Sequence, residues 1–255
     1  MKLLEADSFS IRHKQFFVSS ADSSLINHDA EGSQRTRSFL FLILGALAAR
    51  RLQSSTVLML TENGQMAIHL PLTSGRIGAL STHTAHPTVL AQMASILSRA
   101  LSYPVKIENP YVYKTKAEVI RPVQTQLPDA IPVSTSCWKN ARLKKPATHC
   151  GACIPCYVRR VAIETYGADP TTYAEDVWSI PLSALDEDHD GRRNLVDFAE
   201  FIRRFEKQTS AELMEEFPEL YSPDFDAAKV VAMYRRFAKE ARNVLSHYPN
   251  ALAIL

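Results

Sequence analysis

The pattern of apolar and polar positions changes period several times along this chain, and each change predicts an element. An apolar run from Phe39 to Ala49 sits inside a stretch, Ser33 to Leu52, that reads as a helix buried in a core. Short extended segments are expected at Gln15–Ser20, Thr56–Leu60, Met66–Leu70 and Pro104–Ile107, with Glu62-Asn63-Gly64 as a breaker between two of them. Pro87 opens a helix reaching about Leu101, as proline does at a first helical turn. Thr115-Lys116-Ala117-Glu118 fits a capping box, so a helix starts there. Ile131–Thr135 leads into a cysteine-rich stretch, and a helix from Pro155 to Tyr166 is stopped by Gly167. Strands alternating with helices argue for the α/β class, with a parallel, Rossmann-like sheet.

The pattern changes after about Val177. Leu195, Phe198, Ile202 and Phe205 share one helical face, Thr209-x-x-Glu212 is a second capping box, and Val230, Met233, Phe237, Ala241 and Val244 mark another amphipathic helix. The expected organisation is an α/β domain over 1–177 and a helical appendage over 178–255. No internal repeat or low-complexity segment stands out.

Composition narrows the function classes. With 46% apolar residues in 255, the chain can bury a sizeable core, and a net charge of +2 gives no global electrostatic case for nucleic acid. Most of the basic pairs Arg50-Arg51, Lys144-Lys145, Arg159-Arg160, Arg203-Arg204 and Arg235-Arg236 read as solvated helix surfaces or ends. The Phe39–Ala49 run is well short of the roughly 20 residues a spanning helix needs. Met1 to Asp7 contains no apolar core of signal-peptide length, so a cytoplasmic location is expected.

All four cysteines fall between positions 137 and 156, spaced C-x12-C-x2-C-x2-C. One remote thiolate and a tight trio can close a tetrahedral zinc shell at Cys137, Cys150, Cys153 and Cys156. An iron–sulfur cluster and a pair of disulfides are the other chemistries open to the trio. Disulfides need an oxidising compartment, and in a cytosolic chain clustered cysteines favour metal. A second apparent metal motif, Asp186 to Gly191, matches the first half of a calcium loop. Arg193 stands where that loop needs an apolar residue and Asp197 replaces the closing Glu, so an acidic loop before a helix is the reading kept.

The cysteine block also carries a family resemblance. Cys137-Trp138, then His149-Cys150-Gly151-x-Cys153-x-x-Cys156-x-x-Arg159-Arg160-x-Ala162, then Gly167-x-Asp169-Pro-Thr-x-Tyr173, resembles the C-terminal half of 7-cyano-7-deazaguanine synthase, QueC. Upstream, Ser33 to Ser38, Glu62-Asn63-Gly64, Leu70-Pro71-Leu72, Arg76-Ile77-Gly78, Ser81 to Pro87 and Thr115 to Glu118 look more like the QueC-like proteins of bacterial antiviral systems. The resemblance runs from about residue 12 to 175, and the helical tail is also of the defence-associated kind. It departs at His83 and Ala85, where such proteins usually show Arg and Thr. It implies the fold of the PP-loop ATP pyrophosphatases, an adenine nucleotide alpha hydrolase-like parallel sheet, here with a zinc knuckle over 137–156. The signature Ser-Gly-Gly-x-Asp-Ser of that class, whose glycines let backbone N–H groups wrap pyrophosphate, does not occur in the sequence. The missing part lies on another polypeptide, was truncated, or is no longer needed by a member that does not use ATP.

Several residues have a functional and a structural reading. Lys116 at a helix N-terminus suits an anion, and in the family a Lys in this context lies near the nucleotide's phosphates; the alternative is a solvated Lys on a capped helix. Glu62 and Asn63 follow a strand's carboxyl end, where open sheets bind ligands, or else form a hairpin turn. His83 and His86 flank a helix start. Arg159 and Arg160 either offset thiolate charge or meet an anionic substrate. Asp169 and Tyr173 read as packing and capping residues that the resemblance brings near the active site.

The implied activity is ATP-dependent activation of a 7-deazaguanine carboxylate. An amide follows, and in the synthase a second activation gives the nitrile. ATP with magnesium would then be bound once a partner carrying the PP-loop completes the enzyme, with the chain inactive alone. The competing reading is a non-catalytic, zinc-stabilised scaffold subunit of a defence complex. A third is nucleic-acid binding through Lys139, Arg142, Lys144 and Lys145. Expected partners are other subunits of such a complex and a 7-deazaguanine, with no membrane and no direct nucleic-acid ligand.

Overall fold

A computed structural model describes residues 36–53, 57–59, 61–73 and 85–255. The chain runs α1 (Thr36–Arg51), β1 (Val57–Met59), α2 (Gly64–Ile68), α3 (Pro87–Leu101), β2 (Lys106–Glu108), α4 (Lys116–Gln126), α5 (Ala130–Val133), α6 (Ile154–Glu164), α7 (Asp190–Lys207), α8 (Ser210–Glu216), α9 (Ala227–Leu245) and α10 (Pro249–Leu252). β1 and β2 pair in parallel, with Val57 opposite Lys106 and Met59 opposite Glu108.

The expected Rossmann-like α/β sheet is not what the described residues build. They are mainly helical, and one pair of three-residue strands stands where a sheet was expected. Gln15–Ser20 lies outside the described residues, as does His83. The Met66–Leu70 run is not extended: most of it folds into α2. Asn63 caps that helix, its Oδ1 accepting the Met66 N–H at 3.3 Å. Ala67, Ile68 and Leu70 are all buried. A short run of buried apolar residues has the same composition in a strand and in a helical turn, and here the Asn63 cap decides. The same cap excludes the hairpin reading of Asn63-Gly64.

The helix starts follow the local chemistry. α3 spans Pro87–Leu101, and His86 Nδ1 accepts the Thr88 N–H at 3.3 Å. At α4 both capping-box bonds form: Thr115 N donates to Glu118 Oε2 at 2.8 Å, and Glu118 N to Thr115 Oγ1 at 3.2 Å. α1 and α3 pack through Leu42, Ala46, Leu90, Met93 and Leu97, and lie against the strand pair.

The larger core joins the cysteine segment to the C-terminal helices. Tyr157 of α6, Phe198 and Phe205 of α7, Met233 of α9, and Trp178 and Phe217 between α-helices are each less than 2% exposed and belong to one buried cluster. Phe205 stacks on Tyr234 at 4.9 Å between centroids, and the Tyr157 hydroxyl donates to the Gly191 carbonyl at 2.9 Å. Residues from both sides of position 177 thus pack in a single cluster.

α9 also holds both ends of α2 and the N-terminus of α4. The Tyr234 hydroxyl accepts from Leu70 N at 3.2 Å and donates to the Gln65 carbonyl at 3.3 Å. Arg236 pairs with Glu118 at 2.7 Å and donates to the Tyr113 carbonyl at 2.8 Å. Gly64 sits close beneath: a Cβ there would lie 2.4 Å from the Val112 carbonyl oxygen and 2.8 Å from Met233 Cε.

Candidate metal centre and buried polar site

Cys137, Cys150, Cys153 and Cys156 are buried, free, and converge with all Sγ atoms within 4.8 Å of one another. Cys153 and Cys156 are 3.3 Å apart and Cys150 and Cys156 3.8 Å. A tetrahedral shell with zinc–sulfur bonds of about 2.3 Å spaces its corners by about 3.8 Å. The four cysteines can therefore hold a metal such as zinc. The turn between Cys150 and Cys153 depends on Gly151, whose φ is +77° and whose missing Cβ would come within 1.8 Å of the Glu175 carbonyl oxygen. Cys153 is the N-cap of α6, and the N–H groups of Lys139 and Cys150 both donate to Cys137 Sγ at 3.3 Å. The hydrogen bond shared with Cys156 brings the Cys153 thiol down to about 5 and pushes Cys156 up.

Among the described residues, the buried polar residues outside the cysteines are Asn63, Gln65, Thr115, His149 and Arg159. Gln65 and, through Ser136, His149 are linked to Lys116, the first residue of α4, which Thr115 precedes as the helix cap, while Arg159 acts on it through its charge. Lys116 N donates to Gln65 Oε1 at 2.7 Å, and Lys116 Nζ to Ser136 Oγ at 3.2 Å. Ser136 N donates in turn to His149 Nε2 at 3.1 Å. That bond leaves the imidazole proton on Nδ1, 2.9 Å from Thr148 Oγ1. Burial first, then the Arg159 charge, lower His149 to about 4, so its ring is neutral. Burial and Arg159 also lower Lys116, against smaller opposing effects of Glu62 and Cys156. Glu62 and Cys156 are thus both near enough to Lys116 to act on its charge.

The two arginines after the cysteines have separate surroundings. Arg159 is buried and spends its guanidinium on Thr171 Oγ1, Ser134 Oγ and the Ile131 carbonyl, at 3.0, 2.8 and 2.8 Å. Arg160 points elsewhere. It pairs with Asp176 and with Glu164 at 2.9 Å, donates to the Tyr248 hydroxyl at 3.0 Å, and lies 4.4 Å from that ring's centroid. Burial opposes its charge, but the hydrogen bonds to Asp176 and Glu164 outweigh that and raise it further. It lines a cleft of about 400 Å³ with Asp169, Tyr173 and His247. Asp169 there accepts from Thr171 N at 2.9 Å and from the Tyr173 hydroxyl at 2.7 Å.

The structure therefore brings Glu62, Asn63 and Lys116 together and places Arg160 and Asp169 in a different cleft. His86 is a helix cap stacked edge-on against Phe225. Gln65, Ser136 and Glu240, whose Oε1 accepts from Thr115 Oγ1 at 2.9 Å, carry no sequence signal, because each joins the group through folding alone. His149 had one, its place beside Cys150.

A family model described as "Queuosine biosynthesis protein QueC" matches residues 84–167. Over that stretch the chain is QueC-like. The matched segment contains His86, Lys116, Ser136, His149, Arg159, Arg160 and all four cysteines. Glu62, Asn63, Gln65, Asp169 and the C-terminal helices lie outside it. No curated protein and no solved structure matches the chain. Among the described residues no helix is long and apolar enough to cross a membrane.

Proposed function

We infer that the chain is a component of a QueC-like ligase acting on a 7-deazaguanine carboxylate, with zinc as a structural ion. The match over residues 84–167 carries this reading, because it covers both the thiol set and Lys116. In the inferred reaction a carboxylate oxygen attacks the α-phosphorus of ATP and pyrophosphate leaves. An amine then attacks the acyl-adenylate carbonyl and AMP leaves, giving an amide. Lys116, fixed at the start of α4 by Gln65 and Ser136, would stabilise negative oxygen during these steps. Zinc on the four thiolates would lock the wall formed by Ser136, His149 and Arg159. The glycine-rich loop for pyrophosphate would come from a partner polypeptide. The resemblance to antiviral proteins supports a multi-protein defence complex as the setting.

The test is pyrophosphate release from magnesium ATP and 7-carboxy-7-deazaguanine. The purified chain alone is expected to show none. Release is expected when a polypeptide carrying Ser-Gly-Gly-x-Asp-Ser is added, and to be lost with Lys116→Met. No release in any combination that forms a stable complex would leave the scaffold reading, which the fully paired Arg160 already favours over a second catalytic cation.

A further inference from the structure

Gln65 is 7% exposed, and its amide is used on one side only. Oε1 accepts the Lys116 N–H at 2.7 Å, while Nε2 is buried and has no hydrogen-bond partner. The amide cannot be turned round, because a backbone N–H needs the oxygen opposite it. Nε2 is then held roughly 2.2 Å from Oε1 by ordinary amide bond lengths, beside the first turn of an eleven-residue helix. The neighbouring cation is also open. Among the described residues, Lys116 Nζ bonds only the neutral Ser136 Oγ and forms no ion pair.

A buried donor without an acceptor is costly, and native proteins seldom leave one so. Other buried polar atoms of this protein lack partners as well. Gln65 Nε2 differs from them in adjoining both a helix N-terminus and a lysine that forms no ion pair, the Glu62 carboxylate acting on it only from a distance. All three features favour the same ligand chemistry, an oxygen carrying negative charge.

We propose that Gln65 is a ligand-reading residue, whose Nε2 donates to an anionic carboxylate or phosphate oxygen held together with Lys116 Nζ. This deepens the ligase reading, since it names the residue that would orient the anion at that site. It also explains why the amide is fixed from three sides. Lys116 N holds its oxygen, Tyr234 holds its backbone carbonyl, and Asn63 caps its helix. A side chain so restrained can select a ligand by which atoms it offers, losing little entropy on binding.

The experiment is titration calorimetry on the full chain with its bound metal, using inorganic pyrophosphate, AMP and 7-carboxy-7-deazaguanine as separate probes. Two variants separate the amide's donor from its capping role. Gln65→Glu keeps an acceptor for Lys116 N but replaces the donor. Gln65→Met removes the donor without adding charge. The wild type is expected to bind at least one probe, and both variants to bind it at least tenfold more weakly while staying folded by near-ultraviolet circular dichroism. Weakening in Gln65→Glu alone would mean charge repulsion and would overturn the proposal, as would unchanged affinity in both. Binding of no probe by the wild type would overturn it too. Gln65-dependent binding of pyrophosphate or AMP, with none of the 7-deazaguanine, would uphold the role of Gln65 and remove the proposed substrate.

Discussion

Thr115 Oγ1 donates to Glu240 Oε1 at 2.9 Å, joining the cap of α4 to α9 across 125 positions of sequence. The same hydroxyl accepts the Glu118 N–H, so one oxygen serves the helix start and a carboxylate from the C-terminal region. Glu240 Oε2 is buried without a partner, and burial raises this carboxyl from 4.5 to about 7.

Glu240 should make stability depend on pH near neutrality. Its folded value lies above its unfolded one, so the folded state binds more protons between about 4.5 and 7. The cost of holding it ionised is absent below that window, grows through it, and is complete above pH 7. Glu240→Gln is expected to stabilise the protein by about 1–3 kcal/mol at pH 8 and by almost nothing at pH 4.5. Urea unfolding of both proteins at the two pH values checks this. An offset that does not vary with pH would count against titration of Glu240.

The purified protein should carry about one zinc per chain on Cys137, Cys150, Cys153 and Cys156. Elemental analysis reads the stoichiometry, and iron with sulfide would contradict it. Cys153→Ser is expected to lose the metal and destabilise the fold by at least about 4 kcal/mol, because the thiols lie inside the main core and metal binding there is folding free energy. A chelator should lower the melting temperature of the wild type and leave that of the variant unchanged.

Gly151→Ala should damage the same centre without removing a ligand. The residue has φ of +77°, and an added Cβ would lie 1.8 Å from the Glu175 carbonyl oxygen. A loss of about 3 kcal/mol or more is expected, since backbone rather than a flexible side chain must move. Zinc content should fall in parallel. A variant with full zinc and wild-type stability would show that the turn tolerates a side chain.

Arg160 should prove a stability residue. Its side chain is 13% exposed, it pairs with Asp176 and Glu164, and it lies against the Tyr248 ring. Arg160→Ala is expected to cost about 2–4 kcal/mol, and Arg160→Lys to recover less than half of that, because an ammonium cannot reproduce the planar fork. Anion affinity of the folded variants, measured by calorimetry with pyrophosphate, should not change.

Whatever depends on neighbours in the sequence was legible there. The start of α3 at Pro87, the capping boxes at Thr115 and Thr209, the single buried face of Leu195, Phe198, Ile202 and Phe205, and the convergence of four cysteines all follow from spacings within a few turns of chain. Over such distances the same backbone geometry applies in any fold. The Met66–Leu70 run marks the limit, because its apolar composition suits a strand and a buried helical turn equally, and only the Asn63 cap separates them. The sheet expectation rested on such runs, and a strand exists only where another chain segment pairs with it. Which cation faces which group was likewise a matter for tertiary structure. Arg159 and Arg160 are adjacent, yet successive positions of a helix point about 100° apart, so one is buried beside Ser134 and Thr171 and the other turns to Asp176 and Tyr248. Gln65, Lys116, His149 and Glu240 come from four distant segments. Their meeting depends on α9 packing against α2 and α6, and no pattern within any one segment encodes that contact.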